Sequence, residues 1–330
     1  MDAERHLIER IAHAVPSVPG RELRLGIGDD SALIRPKRRA ELVLSCDTFL
    51  EGVHFLENAH PPESVGYKSL ARAASDLAAM GATPRFFLMT LALPARSTGG
   101  WLNAFLRGLA RAAREFNMRL AGGDTTKSAT ISIGMTVIGQ IPTGRAVKRT
   151  GAQAGDLVYV SGTLGRAQLG LEIMLAGFGR QKKFRRLLAA HLYSRIPMGL
   201  GAWLANHRAA SAMMDISDGL STDLSRMCDA SGVGSRVWSS RVPCVSLPPG
   251  LPSALRARLN PLEMALHGGD DYVLLFTVPR RKEKRLQAAP GFRNLTAIGE
   301  ITSARKILLT DEDGRSTPLI SGGWDPFRKK

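Results

Sequence analysis

The chain has 330 residues, 44% of them apolar, which is enough for the cores of two ordinary domains and excludes a disordered or fibrous protein. No stretch approaches the roughly 18 uninterrupted apolar residues of a membrane span, and residues 1–10 mix acids and bases where a signal peptide would be apolar, so we expect a soluble cytoplasmic protein. The formal net charge is +16, from 45 basic and 29 acidic residues.

The first half of the chain alternates strand-like and helix-like patterns. The patterns predict strands at residues 41–45, 86–93 and 131–139, and helices at residues 62–79 and 101–116. A polar, turn-rich region at 142–156 contains three glycines and is the best candidate domain boundary.

The second half repeats the alternation. We predict a strand at 157–161, a helix after Gly165, a strand ending near Asp215, a helix at 219–230 and a strand at 272–278. Proline and glycine residues at 243–252 indicate a loop inside this half. The pattern predicts an α/β (α+β) protein of two domains, residues 1–141 and 142–330.

The cysteines and basic runs carry little functional signal. Cys46, Cys228 and Cys244 are too widely spaced for a zinc site and odd in number, which fits a reducing compartment. Basic runs at 180–186, 280–285 and 328–330 could bind nucleic acid. They lack interleaved aromatic residues and any RNA-binding signature, so solvated surfaces and tails are the better interpretation.

Aspartates beside glycine or small hydroxyl residues interrupt the apolar stretches. These segments are Gly28-Asp29-Asp30-Ser31, Ser45-Cys46-Asp47-Thr48, Ser75-Asp76, Gly122-Gly123-Asp124-Thr125-Thr126, Asp215-Ile216-Ser217-Asp218-Gly219 and Gly268-Gly269-Asp270-Asp271-Tyr272. Most lie at the ends of predicted strands or helices, where loops converge. Magnesium prefers carboxylate oxygens, and glycine lets backbone amides approach phosphate. Together the segments predict a metal-phosphate site.

Each segment alone also has a purely structural interpretation. Asp218 could cap the following helix, Asp29 and Asp30 could occupy a turn, and Gly122-Gly123-Asp124 could be an ordinary loop. Familiar alternatives are excluded, because the chain has no Gly-x-x-x-x-Gly-Lys-Ser/Thr loop and no His-Arg-Asp or Asp-Phe-Gly pair. Gly26-Ile27-Gly28 begins like a dinucleotide-binding turn, but the late glycine is missing.

The ordered set of motifs resembles the thiamine-monophosphate kinase family, within the aminoimidazole-ribonucleotide synthetase-like ATP-binding superfamily. The most specific blocks are Asp47-Thr48-Phe49-Leu50-Glu51-Gly52-Val53-His54-Phe55 and Ser75-Asp76-Leu77-Ala78-Ala79-Met80-Gly81-Ala82. Other matching blocks are Gly28-Asp29-Asp30, Gly66-Tyr67-Lys68, Gly122-Gly123-Asp124-Thr125-Thr126, Asp215-Ile216-Ser217-Asp218-Gly219-Leu220 and Gly269-Asp270-Asp271-Tyr272. The resemblance runs from about residue 26 to residue 327.

The resemblance implies ATP-dependent conversion of thiamine monophosphate to thiamine diphosphate by direct phosphoryl transfer with Mg²⁺. It implies a homodimer whose N-terminal domains, which bind ATP and metal, pair their mixed sheets into a barrel. The C-terminal α/β domain, sandwich-like, would complete an active site between the domains.

By motif position, the resemblance also implies residue roles. The metal set would be Asp30, Ser45, Cys46, Asp47, Asp76, Asp124, Asp215 and Asp218, and the catalytic set within it Asp47, Asp76, Asp124 and Asp215. Contacts to ATP would come from Gly123, Asp124, Arg149 and Ser217. Contacts to thiamine phosphate would come from His54, Asp270 and Trp324. The plain alternatives are a packed core histidine for His54, a surface charge for Arg149 and a hydrophobic tail anchor for Trp324.

Several positions depart from the family pattern. Cys46 replaces a threonine, which removes a hydroxyl ligand but leaves the backbone carbonyl, and thiolate is a poor match for magnesium. The other departures are Ala73 for asparagine, Leu106 for a tyrosine near the adenine pocket, and Val273 for glutamate. They bear on nucleotide selectivity and rate more than on the reaction class.

Three other functions stay open on the sequence. The chain could be an ATP-using synthetase of the same superfamily, although the cysteine and lysine pair of a selenophosphate enzyme is missing from a Gly-rich N-terminal segment. It could be a catalytically silent nucleotide-binding module. The +16 charge also leaves a nucleic-acid-binding protein, whose affinity would fall steeply with salt.

Overall fold

The computed structural model describes residues 3–27, 31–288 and 294–327. The chain forms two compact units, the first made of Met1–Leu77 and Ala82–Gly144 and the second of Ala78–Gly81 and Arg145–Lys330. Each unit has its own sheet and helices, so the expected two-domain α/β fold is confirmed. Within the described residues, no helix combines the length and the apolar character that a membrane crossing requires.

The first unit is built from three helices and six strands in its described part. In chain order they are α1 (Ala3–Ala14), β1 (Leu23–Leu25), β2 (Leu33–Ile34), β3 (Ala40–Leu50), α2 (Pro62–Ala79), β4 (Thr83–Leu93), α3 (Gly100–Glu115), β5 (Arg119–Lys127) and β6 (Ser132–Pro142). A short 3-10 turn, Ala95–Ser97, precedes α3.

The main sheet of this unit is mixed, with the order β3-β6-β4-β5. Strands β4 and β5 are parallel because α3 crosses over between them, whereas β6 is antiparallel to both its neighbours. Helices α2 and α3 approach closely where both carry glycine. A Cβ at Gly66 would collide with the carbonyl of Phe105, and one at Gly108 with the carbonyl of Glu63.

Strand β3 has two different faces because side chains alternate along a strand. Val43 and Phe49 are buried on one face, and Ser45 and Asp47 are half-buried on that same face. The guanidinium of Arg72 from α2 lies 5.1 Å from the Phe49 ring centroid, so α2 covers this face. The opposite face is exposed and carries Leu42, Leu44, Cys46 and Thr48.

The second unit contains seven helices and seven strands within its described residues. In chain order they are β7 (Leu157–Val160), α4 (Arg166–Ile173), α5 (Arg185–Leu192), α6 (Met198–Asn206), β8 (Ala212–Asp215), α7 (Leu220–Ser231), β9 (Gly234–Trp238), α8 (Ser253–Arg256), α9 (Pro261–His267), β10 (Leu274–Val278), α10 (Glu283–Gln287), β11 (Thr296–Thr302), β12 (Ile307–Thr310) and β13 (Ser316–Pro318). A π-helical turn and three 3-10 turns, Met174–Phe178, Lys182–Phe184, Ser239–Arg241 and Arg280–Lys282, lie between them.

These strands form one sheet with the order β13-β12-β9-β11-β7-β10-β8. Only the β12–β9 pair is parallel among the pairs in the described sheet. Strands β7 and β10 and the edge strand β8 are buried along their whole length. They share a core with α7, to which Leu220, Leu224 and Met227 each contribute a fully buried side chain.

The predicted elements match the observed ones in type, but three boundaries differ. Strand β3 runs on to Leu50, so Asp47 lies inside a strand and not at its end. The Gly122-Gly123-Asp124 segment, which also reads as a loop, belongs to β5. Strand β10 starts only at Leu274, because Asp270 and Tyr272 have φ values of 69° and 50°, which a regular strand does not allow.

Candidate functional site

One cluster in the first unit joins the covered face of β3 to α2. The hydroxyl of Ser45 donates a hydrogen bond to Oδ2 of Asp76. Asp47 follows on the same face, two residues along the strand. The structure therefore brings Ser45, Asp47 and Asp76 to one side of the sheet, as the metal-site prediction requires. All three side chains carry oxygen atoms, which are the ligands that magnesium prefers.

Asp124 lies across the same sheet, on strand β5. The row of paired residues that starts at Asp47 passes through Met135 and Met89 and ends at Gly123. Asp124 stands in the adjacent row with Thr90 and Thr48, so strand alternation places it on the face opposite Asp47. Gly123 has no room for a side chain, because a Cβ there would collide with the carbonyl oxygen of Met89. Glycine is therefore needed at this position because the backbone of β4 occupies the place of a side chain.

Cys46 does not share the face of its neighbours. Its side chain is exposed on the opposite face of β3, where the hydroxyl of Thr136 donates to Sγ over 3.4 Å. A thiolate from this position therefore cannot join the Ser45 and Asp47 cluster. Only the backbone carbonyl of Cys46 stays available for the predicted metal role.

His54 lies in the turn after β3. The backbone N–H of Leu50 donates to Nδ1 of His54 over 3.0 Å, and the imidazole centroid is 5.6 Å from that of Phe49. Since Nδ1 accepts, the ring proton of the neutral imidazole sits on Nε2. The side chain is half-buried, so it is oriented by the turn without being a fully packed core histidine.

The second unit carries a rigid acidic loop after β8. Asp215 ends the strand and is 6% exposed, and its backbone pairs with Leu274 of β10. The carboxylate of Asp223, in the first turn of α7, accepts the N–H groups of Ser217 and Asp218 at 3.1 and 3.0 Å. Asp223 is fully buried, so the loop between Asp215 and Gly219 is held from within.

Arg226 forms ion pairs with two carboxylates at this loop. Its guanidinium contacts Asp218 at 2.5 Å and Asp223 at 2.9 Å. Burial raises the pKa of Asp223 to about 6, and the charge of Asp218 adds to the rise, while the two backbone N–H donors and Arg226 oppose it. Helix α7 begins after Gly219 without a side-chain cap. The helix-cap alternative for Asp218 is therefore wrong, since its carboxylate pairs with Arg226.

Asp270 lies beside this loop in a strained conformation. Its φ is 69°, and its N–H donates to the carbonyl of Ser217 over 2.8 Å. The hydroxyl of Tyr272 donates to Oδ1 over 2.7 Å, and Nδ1 of His191 is 3.8 Å from Oδ2. A non-glycine residue with positive φ that is held by several contacts is typical of functional sites.

Asp271, the next residue, has a structural role. Its carboxylate accepts the N–H groups of Gly165 and Ala167 at 2.6 and 3.1 Å and so caps the start of α4. Burial is the largest cause that raises its pKa to about 6.

The backbone of Trp324 bonds to the acidic loop, whereas the backbone of Arg149 bonds to the residue at the end of α7. The backbone N–H of Trp324 donates to the carbonyl of Asp218 over 2.9 Å, and its side chain is 49% exposed. The carbonyl of Arg149 instead accepts from Ser231, at the far end of α7. The carbonyl of the neighbouring Lys148 accepts from the N–H of Met213 in β8 over 2.9 Å.

The predicted metal set is brought together only in part. Asp30 lies outside the described residues. Among the residues that are described, no three histidine, cysteine, aspartate or glutamate side chains form a group that could hold a metal ion. The donor chemistry still fits magnesium, because Ser45, Asp47 and Asp76 offer hard oxygen ligands on one face.

Sequence reasoning missed several residues that shape the site. They are Asp223, Arg226 and His191, and the motif that contains Asp271 and Tyr272 gave these two residues no role of their own. The one available signal was Asp223, because an acidic residue in the first turn of a predicted helix indicates contacts with backbone N–H groups. The others act through long-range contacts that a sequence pattern does not contain.

Two family models match most of the chain. The N-terminal domain of AIR synthase related proteins matches residues 28–141, and the C-terminal domain of the same proteins matches residues 153–312. Thiamine-monophosphate kinases of Escherichia coli and Bacillus subtilis are 36% and 34% identical to this chain over 313 residues. The alignments cover 93% and 92% of this chain and 93% and 94% of the relatives.

Solved structures agree with these relatives. The thiamine-monophosphate kinase of Stenotrophomonas maltophilia superimposes with a TM-score of 0.80 at 34% identity, covering 96% of this chain and 98% of that one. AaThiL complexed with AMPPCP and TMP gives 0.76 at 32% identity, covering 91% and 92%. The hydrogenase maturation protein HypE of E. coli, at 21% identity and a TM-score of 0.76, covers 98% of both chains and shows the shared fold alone.

Proposed function

The chain belongs to the AIR synthase related protein family and, within it, to the thiamine-monophosphate kinases, and from this premise we propose that it transfers the terminal phosphoryl group of ATP to thiamine monophosphate. The observation that carries the proposal is the similarity to these kinases along more than nine-tenths of the chain. A related structure holds an ATP analogue together with TMP. The product would be thiamine diphosphate.

The chemistry requires positioning more than proton transfer. The second pKa of a phosphate monoester is about 6, so the acceptor phosphate is largely a dianion at neutral pH and is already a nucleophile. Its obstacle is repulsion from the ATP phosphates. The chain must therefore hold the two phosphate groups in line, and no general base has to be named.

We assign the first-unit oxygens to magnesium. Bound there, Mg²⁺ would neutralise charge on the phosphates. Ser45, Asp47 and Asp76 supply ligands from the covered face of the sheet, and the hydrogen bond from Ser45 orients the Asp76 carboxylate. Asp124 and the backbone of Gly123, at the other edge of the same sheet, are proposed to contact ATP and the metal. Asp30 and the carbonyl of Cys46 complete this part of the proposed set.

We assign the second-unit loop to the same reaction. Asp215 and Asp218 are further proposed ligands, and Ser217 and Arg149 are proposed ATP contacts. Asp270 and Trp324, which both bond to the loop backbone, offer a carboxylate and an aromatic face. This pair suits the cationic thiazolium ring of thiamine. His54, with its proton on Nε2, is proposed to donate to the acceptor.

A homodimer is also part of the proposal. The exposed face of β3 carries Leu42 and Leu44, whose side chains are 43% and 60% exposed. Two exposed apolar side chains on the same face of one strand suit burial against a second copy of that face. We place the enzyme in the cytoplasm, where ATP and magnesium are abundant.

The test is a direct assay of the purified chain with ATP, Mg²⁺ and thiamine monophosphate, with thiamine diphosphate followed by chromatography. Free thiamine serves as the parallel acceptor, and Asp47→Asn protein as the inactive control. We expect diphosphate from the monophosphate alone. ATP binding without any product would contradict the kinase and favour a synthetase with another acceptor or a silent nucleotide-binding module.

A further inference from the structure

A segment that we name the tail, residues 319–327, lies against the beginning of α7. It starts where the N–H of Leu319 donates to the carbonyl of Ile307 over 2.9 Å. It then crosses two hydroxyl residues of the first turn of α7, Ser221 and Thr222, which are 0% and 9% exposed. Trp324 is the aromatic residue that this segment presents next to the acidic loop.

The hydroxyl of Thr222 is the centre of the contact. Its Oγ1 accepts the hydroxyl of Ser321 over 2.9 Å and the N–H of Gly323 over 3.0 Å. One residue later, the N–H of Trp324 donates to Asp218. The backbone on both sides of Gly323 is therefore held at two neighbouring points.

Ser221 and His267 hold the preceding residue. The N–H of Gly322 donates to Oγ of Ser221 over 3.2 Å, and the same Oγ is 2.8 Å from Nδ1 of His267. A hydroxyl has one proton to donate and can accept twice, so Ser221 can bond to Gly322 and to His267 at the same time. The imidazole Nε2 then faces Glu263, at 3.6 Å.

The tail also fits too closely to tolerate side chains at its two glycines. A Cβ at Gly322 would come within 2.5 Å of Nδ1 of His267, and a Cβ at Gly323 would collide with the carbonyl oxygen of Asp218. Such close backbone approach is seen where a segment has one defined position. It is a second observation, independent of the hydrogen bonds, that the tail is docked in register.

We propose that Ser221, Thr222 and His267, which we name the tail clamp, are positioning residues that set the affinity for the acceptor by holding Trp324 at the acidic loop. The inference rests on the proposed function, because it assigns the Trp324 indole to thiamine binding. Without the clamp, the tail would have to be ordered at each binding event, and that entropy cost would appear as weaker acceptor binding. ATP does not require the indole, so its KM should not change.

The decisive variant is Thr222→Val, which keeps the shape of the side chain and removes the hydroxyl. Its matched control is Thr222→Ser, which restores the acceptor oxygen. We expect the valine variant to raise the KM for thiamine monophosphate about tenfold with kcat and the KM for ATP nearly unchanged, because it loses the oxygen that accepts two hydrogen bonds from the tail. The serine variant should stay near the wild type.

Hydrogen exchange of the peptide that covers 319–327 is the readout independent of catalysis. We expect exchange about tenfold faster in Thr222→Val, and wild-type protection in Thr222→Ser. If Thr222→Val does not fold, Ser221→Ala is the second variant, with the same two expectations.

Unchanged tail exchange in the valine variant would overturn the clamp. Faster exchange with an unchanged acceptor KM would overturn its link to substrate affinity. A wild-type chain that does not phosphorylate thiamine monophosphate would sink the proposed function and the affinity link together, while the exchange result would still decide whether the clamp holds the tail.

Discussion

The hydroxyl of Ser45 donates its hydrogen bond to the carboxylate of Asp76, so a residue of β3 orients a proposed metal ligand on α2. Ser45→Ala removes this bond. We expect the Mg²⁺ concentration for half-maximal activity to rise about tenfold or more, which is typical for the loss of a group that orients a ligand. Ser45→Thr, which keeps a hydroxyl, is the control. An unchanged Mg²⁺ requirement in the alanine variant would contradict the assignment.

Asp47→Asn removes one negative charge from the covered face of β3 and keeps the shape of the side chain. We expect turnover to fall on the order of a thousandfold, because the phosphates then lose a proposed metal ligand. The thermal midpoint should stay close to that of the wild type. Asp313→Asn, at a largely exposed residue, controls for the change in net charge. Near-normal rates at limiting Mg²⁺ would show that the metal assignment is wrong.

Asp223→Asn should destabilise the second unit. Asp223 is fully buried and accepts from Ser217, Asp218 and Arg226. The asparagine amide has one oxygen that accepts hydrogen bonds and an NH2 group that cannot accept them. At least one of the three donors therefore loses its partner, and we expect the free energy of unfolding to fall by about 2 to 4 kcal/mol. Asp229→Asn, at the exposed end of α7, should cost little. Equal stability of both variants in urea would refute this role.

The stability of the chain should respond to pH through Asp271. Burial raises the pKa of this carboxyl from 3.8 to about 6 in the folded state. The folded state then holds the proton more tightly than the unfolded state, so this group adds stability as pH falls from about 7 toward 4, and the gain is lost as pH rises through the folded-state pKa.

The measurement is urea unfolding of the wild type and Asp271→Asn at pH 7.5 and 4.5. We expect the wild type to gain about 2 kcal/mol relative to the variant on acidification. Asp311→Asn serves as the matched substitution at an exposed position. A constant difference between wild type and Asp271→Asn at both pH values would count against a raised pKa.

Leu44→Glu tests the proposed dimer. Leu44 is 60% exposed on the outer face of β3, and a carboxylate buried there would oppose association strongly. We expect the variant to sediment as a monomer at a concentration where the wild type sediments as a dimer. Leu175→Glu, at a residue 57% exposed in the second unit, should leave the dimer intact. A monomeric wild type would exclude the dimer itself.

The sequence predicted the types of the longer elements because their hydrophobic periods are clear. Helix α2 was predicted at 62–79 and observed as Pro62–Ala79. The sequence did not predict that Asp47 and Asp124 lie inside strands, because both are next to glycine or hydroxyl residues that usually indicate turns. Only pairing with neighbouring strands makes these segments extended. Pairing is a long-range property, which local patterns do not report.

The site was predicted to the level of residue types but not of geometry. The motifs indicated Ser45 and Asp76, yet not that one would donate to the other across an interval of 31 residues. They also placed Cys46 beside Asp47 in the metal set, although adjacent strand residues face opposite ways. Asp223 and the tail clamp depend on contacts between distant segments, so a single sequence carried no pattern for them.

Substitutions on the two faces of β3 should affect different properties of the protein. Substitutions at Ser45 and Asp47 would alter chemistry, whereas those at Leu44 and Thr48 would alter only the outer surface. If the carbonyl of residue 46 is the proposed ligand, the identity of the side chain there matters little, and cysteine is compatible with the role. A saturation mutagenesis scan of this strand, read out by enzyme activity, should therefore show that tolerance to substitution alternates from one residue to the next. One strand would then carry two traits that evolve independently.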